Sequence, residues 1–182
     1  MIYHQTELKD AWLIALELRG DDRGAFARTM CREAFAARGI GGDFVQQNLS
    51  VTAFQGTLRG MHYQRAPYPE AKLVRCVRGA VWDVIIDLRH ESPTYLKHQG
   101  FTLSAENHHQ LYIPSGFAHG FQTLTPDVEM TYLMSEPYAP ETAGGVRFDD
   151  PVFGVAWPQP ITVIADRDRT WPDYDPKTPP VF

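Results

Sequence analysis

The chain has 182 residues, 43% of them hydrophobic, enough for one domain with a full core and short for two. With 17 Lys and Arg against 22 Asp and Glu, the formal net charge is -5. That balance argues against general nucleic-acid binding, while leaving room for a small anionic ligand held by a few local arginines. No run of about 18 apolar residues predicts a membrane span. The N-terminal stretch MIYHQTELKDAWLIALELRG lacks the basic start and continuous apolar run of a signal peptide. A cytoplasmic protein is therefore expected, with Cys31 and Cys76, which form no CxxC pair, as free thiols.

Taken in order, AWLIALEL (11–18) is an apolar run that fits strand or helix, and GDDRG supplies a turn. ARTMCREAFAARG (27–39) reads as a helix: Met30, Ala34 and Ala37 share one side, Cys31 and Phe35 lie beside them, and Gly39 suits a C-terminal cap. Strand-like segments follow: FVQQNLSVTAF, TLRGMHYQ, KLVRCVRG, AVWDVIIDLR, HQGFTLS, HQLYIPSGFAHGFQTLT and VEMTYLMSE. The RG at 78–79 reads as a tight turn between two paired strands. Short strands at regular spacing, with Gly and Pro turns, predict a mainly β chain: an antiparallel barrel or jelly roll with few helices. The tail from Phe148, rich in Pro, Asp and Trp, is expected to wrap the outside. No repeat, low-complexity tract or linker divides the chain, so residues 1–182 are read as a single domain.

Several polar residues fall on strand-like segments: Arg59, His62, Gln64, Lys72, Arg75, Asp83, His119 and Tyr132. Alternation places His62 and Gln64 on one face with Gly60, and Met61 and Tyr63 on the other; Lys72, Val74 and Cys76 share a face likewise. One face of a barrel is interior, and its mouth is a common place for a small-ligand pocket. Taken alone, a strand histidine is more often structural than catalytic, and a lone lysine is more often solvated. A metal site of the cupin kind needs a His-x-His pair with a following Glu and a later His. Gln64 stands at the second His position, and Lys72 would bring positive charge beside Glu70 and His119, so no metal is expected. GxSxG, P-loop and dinucleotide fingerprints are missing.

The segments LRGMHYQ, KLVRCVRGAVWDVIIDLR, SPTY, LSAEN, QLYIPSGFAHGFQTL, YAPE and DDPVFGVAWP, in this order and spacing from about residue 19 to residue 172, resemble the dTDP-4-dehydrorhamnose 3,5-epimerases. The resemblance implies a cupin-type jelly roll that uses neither metal nor other cofactor, and a homodimer with exchanged N-terminal strands. It implies a nucleotide-linked 4-keto-6-deoxy sugar as substrate, inverted at C3 and/or C5 in deoxysugar biosynthesis. By motif position His62 is the base, Asp168 orients and charges it, Lys72 meets the developing enolate oxygen, and Tyr132 reprotonates from the opposite face. Arg23 and Arg59 stand as diphosphate ligands, and Arg167 stands where the family has a lysine near phosphate. Gln46 and Asn48 line the nucleotide end, His119 lies in the pocket, and Tyr138 stacks on the base. The chain departs from the family pattern at Arg28 (usually a glutamate; here a further phosphate contact or a water-facing residue), at Ala143 (usually acidic) and at Leu133 (commonly a lysine). All three are placed at or near the nucleotide end, which predicts retained chemistry on an altered nucleotide or sugar, such as a CDP- or GDP-linked one. Two other readings use the same residues: a nucleotide-sugar ketoisomerase and a non-catalytic nucleotide-sugar binding protein.

Overall fold

Period-two alternation carries directly into the architecture. A computed structural model describes residues 1–41 and 43–182. Its strands are β1 (Ile2–Gln5), β2 (Trp12–Ala15), β3 (Arg19–Asp21), β4 (Gly24–Phe26), β5 (Gln46–Thr52), β6 (Thr57–Gln64) and β7 (Lys72–Arg78). They continue as β8 (Ala80–Asp87), β9 (His98–Ser104), β10 (His109–Ile113), β11 (Phe117–Thr123), β12 (Val128–Met134), β13 (Ala143–Gly145) and β14 (Val163–Ile164). The two helices are short: α1 (Arg32–Ala36) and α2 (Asp166–Arg169). The ambiguous run at 11–18 thus resolves as a strand. Among the described residues no helix is long and apolar enough to cross a membrane.

Two sheets form the jelly roll. The first runs β1-β2-β10-β7-β12-β5; the second runs β13-β6-β11-β8-β9, with β14 added in parallel to β6. The inward residues of both sheets make one core: Val74 and Cys76 on β7, Val81 and Ile85 on β8, Leu111 and Ile113 on β10, Phe117 and Phe121 on β11, Val128 and Met130 on β12. Tyr132, next in the inward series of β12, packs against the same cluster. The outer face of the second sheet is covered by the tail: Phe153, Val155, Trp157, Tyr174 and Phe182 pack on Met61, Val84 and Ile86. The outer face of the first sheet is covered by Phe35 and Ile40, which pack with Ile14, Leu73 and Tyr112. Both cysteines are free thiols, and burial pushes the Cys76 thiol up to about 11.

Two expectations are corrected. The helix read over 27–39 is confined to residues 32–36: Cys31 is extended (φ -150, ψ 113), and the Thr29 carbonyl accepts a bond from the Gln110 side chain, so the first residues are held as extended chain. The predicted end holds, because Gly39 turns left-handed (φ +70) and the Ile40 N–H reaches back to the Phe35 carbonyl. The turn at 78–79 does not join paired strands. β7 belongs to the first sheet and β8 to the second, so Gly79 (φ +74) carries the chain across the barrel wall, packed so closely that a Cβ would lie 2.5 Å from the Thr125 hydroxyl.

The pairing of β6 with β11 contains a bulge. His62 lies opposite His119 and Arg59 opposite Phe121, so three steps along β6 match two along β11. Strict alternation would send Arg59 and His62 to opposite faces; the extra residue turns both side chains toward one cavity. Gly60 makes the bulge possible. Its φ is +118, and a Cβ there would lie 2.6 Å from the Gly120 Cα and 2.7 Å from the His119 carbonyl oxygen. Gly60→Ala is therefore expected to lower stability by about 3 kcal/mol, combining backbone strain with overpacking against main chain. Urea unfolding of the variant beside the parent checks this; an unchanged midpoint would contradict it.

Candidate active site

A cavity of about 580 Å³ opens at the end of the barrel, lined by Lys72 from the start of β7 and by Tyr132 and Met134 from the end of β12. His62 and Arg59 enter it from β6, His119 from β11, Asn48 from β5, and Arg167 and Asp168 from α2. A second cavity of about 470 Å³ shares Asn48, His62, Lys72 and Arg167 and extends to Gln46, Tyr138 and Ala143. The two form one continuous lining, with Lys72 and His62 where they meet.

His62 is 44% exposed at its side chain, and one ring nitrogen is bonded to Asp168 Oδ1 at 2.6 Å. The other carboxylate oxygen accepts the Gly60 N–H at 3.1 Å. Asp168 is buried, which by itself raises its pKa; the bond and charge of His62, the Gly60 N–H and nearby Arg167 outweigh that and leave the carboxyl below its ordinary value. It therefore stands as a carboxylate that fixes the ring and favours an imidazolium when one forms.

Tyr132 sits in the opposite, apolar environment. Burial first, and then the charge of Asp83, hold its pKa well above the usual phenol value, so it stays a neutral phenol. Its ring stands edge-on to His119, 6.1 Å between centroids. His119 is itself buried and bonded to Asp83 at 2.9 and 3.1 Å through the two carboxylate oxygens. Asp83 is wholly buried inside the barrel, on the face that β8 also uses for Val81 and Ile85.

Lys72 is also buried, with its ammonium 3.0 Å from Glu70 Oε1 and 3.4 Å from the His62 carbonyl oxygen. Arg59 is steered by the Thr52 hydroxyl (3.0 Å) and the Val51 carbonyl (3.3 Å). At the outer cavity Gln46 bonds Asn48 (3.0 Å) and accepts the Tyr138 N–H (3.2 Å). The Gln64 amide, set aside as a metal ligand, is spent on the Tyr68 and Pro137 carbonyls and the Ala139 N–H, which hold the loop carrying Tyr138. Arg167 lies over the Trp171 ring.

Two predicted residues are not brought to this cavity within the chain. Arg23, 89% exposed, lies in the β3–β4 hairpin paired with Asp21, and Arg28 lines a separate surface cavity with Tyr3, Glu17 and Arg38. Leu133 is corrected as a nucleotide-end position: alternation turns it outward, against the cluster of Phe35 and Leu73 beneath α1. Reading the sequence missed Asp83 as the partner of His119 and Glu70 as the partner of Lys72. The signal for Asp83 was a charge at an inward position of VWDVIID; for Glu70 it was the Glu-x-Lys spacing at a strand start.

A jelly-roll barrel with two carboxylate-bonded histidines, an ion-paired lysine and a half-buried phenol gathered at its mouth defines a class: a cupin-type enzyme with ionisable side chains in place at a small-molecule cavity. Within that class the chain belongs to the dTDP-4-dehydrorhamnose 3,5-epimerase family of isomerases, whose family model matches residues 5–175. It is 40% identical over 173 residues to the dTDP-4-dehydrorhamnose 3,5-epimerase of Sinorhizobium fredii, spanning 94% of this chain and 89% of that one. The crystal structure of the Bacillus anthracis dTDP-4-dehydrorhamnose 3,5-epimerase with TDP and PPi bound superposes with a TM-score of 0.91 at 39% identity, covering 95% of this chain and 99% of that one. ChmJ, a 3'-monoepimerase from Streptomyces bikiniensis in complex with dTDP-quinovose, superposes at 0.84 with 35% identity, covering 93% of this chain and 86% of that one.

The lowered Asp168 carboxyl has a consequence for acid stability. A depressed carboxylate contributes stability that is complete above its unfolded value, about pH 4, and is lost as pH falls through the lower folded value. Asp168→Asn removes that contribution. The stability gap between parent and variant is thus expected to be widest near neutrality and to narrow below about pH 4. Chemical denaturation at pH 7, 5 and 3 measures it; a gap independent of pH would contradict the assignment.

Proposed function

We propose that this protein epimerises a dTDP-linked 4-keto-6-deoxy sugar at C3, C5 or both. The observation that carries the reading is the 2.6 Å His62–Asp168 bond at a cavity also lined by Lys72 and Tyr132. A hydrogen on carbon next to a ketone is acidic only if the enolate is stabilised, so a base, a cation and an acid must face one carbon. His62, with one nitrogen committed to Asp168, removes the proton through the other. The C–H electrons form the C=C bond, and the ketone oxygen takes up negative charge beside Lys72. Tyr132 gives its proton to the same carbon from the opposite face, and the configuration inverts. His62 then releases its proton and the phenolate recovers one from solvent. The ketone is the electron sink, so the cycle calls for no redox cofactor.

Arg59 and Arg167 hold the diphosphate, with His119 in the sugar pocket and Gln46, Asn48 and Tyr138 at the nucleotide end. The TDP and dTDP-quinovose in the family structures support dTDP as the nucleotide. Of the departures, Ala143 remains at the outer cavity as a determinant of the base pocket. The chain works as a single domain and as a cytoplasmic homodimer. β5 is an edge strand whose outward Leu49 and Val51 are exposed, and Phe26 projects from the β3–β4 hairpin. A second copy pairing here through exchanged N-terminal strands would cover this surface and deliver Arg23 and Arg28 to the other copy's diphosphate.

Product analysis by NMR tests the reaction class: the ketone should stay at C4 while a neighbouring centre inverts, and a ketone moved to C3 would make the protein a ketoisomerase. Tyr132→Phe should keep proton exchange within about tenfold while losing inversion; loss of exchange as well would contradict its role as acid alone. Mixing His62→Ala with Arg23→Ala chains should recover activity that neither shows alone, since a mixed dimer holds one intact site. No recovery would contradict the exchanged arrangement. Calorimetry with dTDP, CDP, UDP and GDP should rank dTDP first; a preference for another nucleotide would assign Ala143 and Arg28 to nucleotide choice.

A further inference from the structure

We propose that Glu70 is a positioning residue for this reaction, holding the Lys72 ammonium charged and fixed at the junction of the two cavities; the proposal rests on reading Lys72 as the cation that meets the enolate oxygen. Lysine is a poor fixed charge, with a flexible four-carbon stem and three rotatable donors. Here it is held. Glu70 stands two residues before Lys72, just ahead of β7, and its carboxylate turns to the lysine. Both side chains are only 8% exposed, and Oε1 lies 3.0 Å from Nζ. The residue between them is clamped: the Ala71 N–H donates to the Ser135 hydroxyl at 2.7 Å, and the Ser135 N–H returns to the Ala71 carbonyl at 3.0 Å. These two hydrogen bonds to Ser135, the residue that follows β12, fix the pair relative to Tyr132 on that strand.

The electrostatics give the pair its purpose. An ammonium buried without a counter-ion tends to give up its proton, and a neutral amine cannot meet an enolate. Around Lys72 the cavity presents Arg59 and His62 from β6, His119 from β11, Tyr132 from β12, and Arg167 and Asp168 from α2. Asp168 is engaged with His62, and the arginines repel a further positive charge. Among the described residues Glu70 is the one acid within 4 Å of the ammonium. It lines only the outer cavity, whereas Lys72 lines both, so the carboxylate holds the lysine from the side away from the barrel core.

The test compares Glu70→Gln and Glu70→Asp with the parent by solvent deuterium exchange into dTDP-4-keto-6-deoxyglucose, from pH 6 to pH 10. In the Gln variant the alkaline limb of kcat/KM is expected about one pH unit lower, which makes exchange near pH 9 about tenfold slower, with KM within about twofold of the parent. Glu70→Asp keeps the charge and should restore most of the profile. A Gln variant that loses thermal stability but keeps the parent's pH profile would make the pair structural only and overturn the proposal, as would an Asp variant indistinguishable from Gln. Lys72→Met separates the two readings. If it slows exchange while Glu70→Gln leaves the profile in place, only the role of Glu70 fails; if it leaves exchange intact, the role of Lys72 fails and that of Glu70 with it.

Discussion

The hydrogen bond between His62 and Asp168 fixes the functional end of a contact between distant parts of the chain, just beyond the short parallel pairing of β14 with β6. His62 belongs to a central strand of the second sheet; Asp168 arrives 106 residues later on a four-residue helix. Such a helix cannot stand alone. It is held because the tail on both sides of it is anchored: Phe153 and Trp157 before it, Tyr174 and Phe182 after it, all on the outer face of the sheet. The tail that reads as wrapping is therefore also the element that completes the site. The carboxylate then secures the bulge in return, by accepting the Gly60 N–H.

A second theme is charge compensation. Three basic groups at the mouth each have one acid: His62 with Asp168, His119 with Asp83, Lys72 with Glu70. A buried ion pair such as Lys72–Glu70 adds little to stability, because desolvation cancels most of the attraction, yet losing one partner leaves an uncompensated charge. The value of the three pairings lies in a preorganised set of side chains with defined direction. Tyr132 is the contrasting case: unpaired with any base and pressed into the core, it is kept neutral by burial and by the nearby Asp83 charge.

The strands were readable as short apolar-rich segments separated by Gly, Pro or polar turns; β6 coincides with the TLRGMHYQ segment, and β7 and β8 begin where KLVR and AVWD begin. What could not be read were the choices made by distant partners. The sequence of residues 27–39 is locally helical, but Gln110 captures the Thr29 carbonyl and the first turns are lost. Arg78–Gly79 has the chemistry of a hairpin turn, yet the strands on either side pair elsewhere. The bulge that brings Arg59 to the side of His62 depends on how β11 meets Gly60, which no local pattern encodes. The site residues came mostly from motif resemblance. From the residues alone, alternation set His62 on the face opposite Met61 and grouped Lys72 with Val74 and Cys76, but it could not say which face is interior or pair these residues with Asp168 or Glu70.

Proton removal by His62 is the step on which the proposed reaction depends. The direct measurement is deuterium incorporation from D2O into dTDP-4-keto-6-deoxyglucose, followed by NMR for the parent and for His62→Ala. The parent should take up deuterium at C3, C5 or both, and the variant, folded and still binding dTDP, should be slower by about a thousandfold or more at every exchanging centre. Exchange in His62→Ala at a rate close to that of the parent would contradict the account, whatever else the site proved to bind.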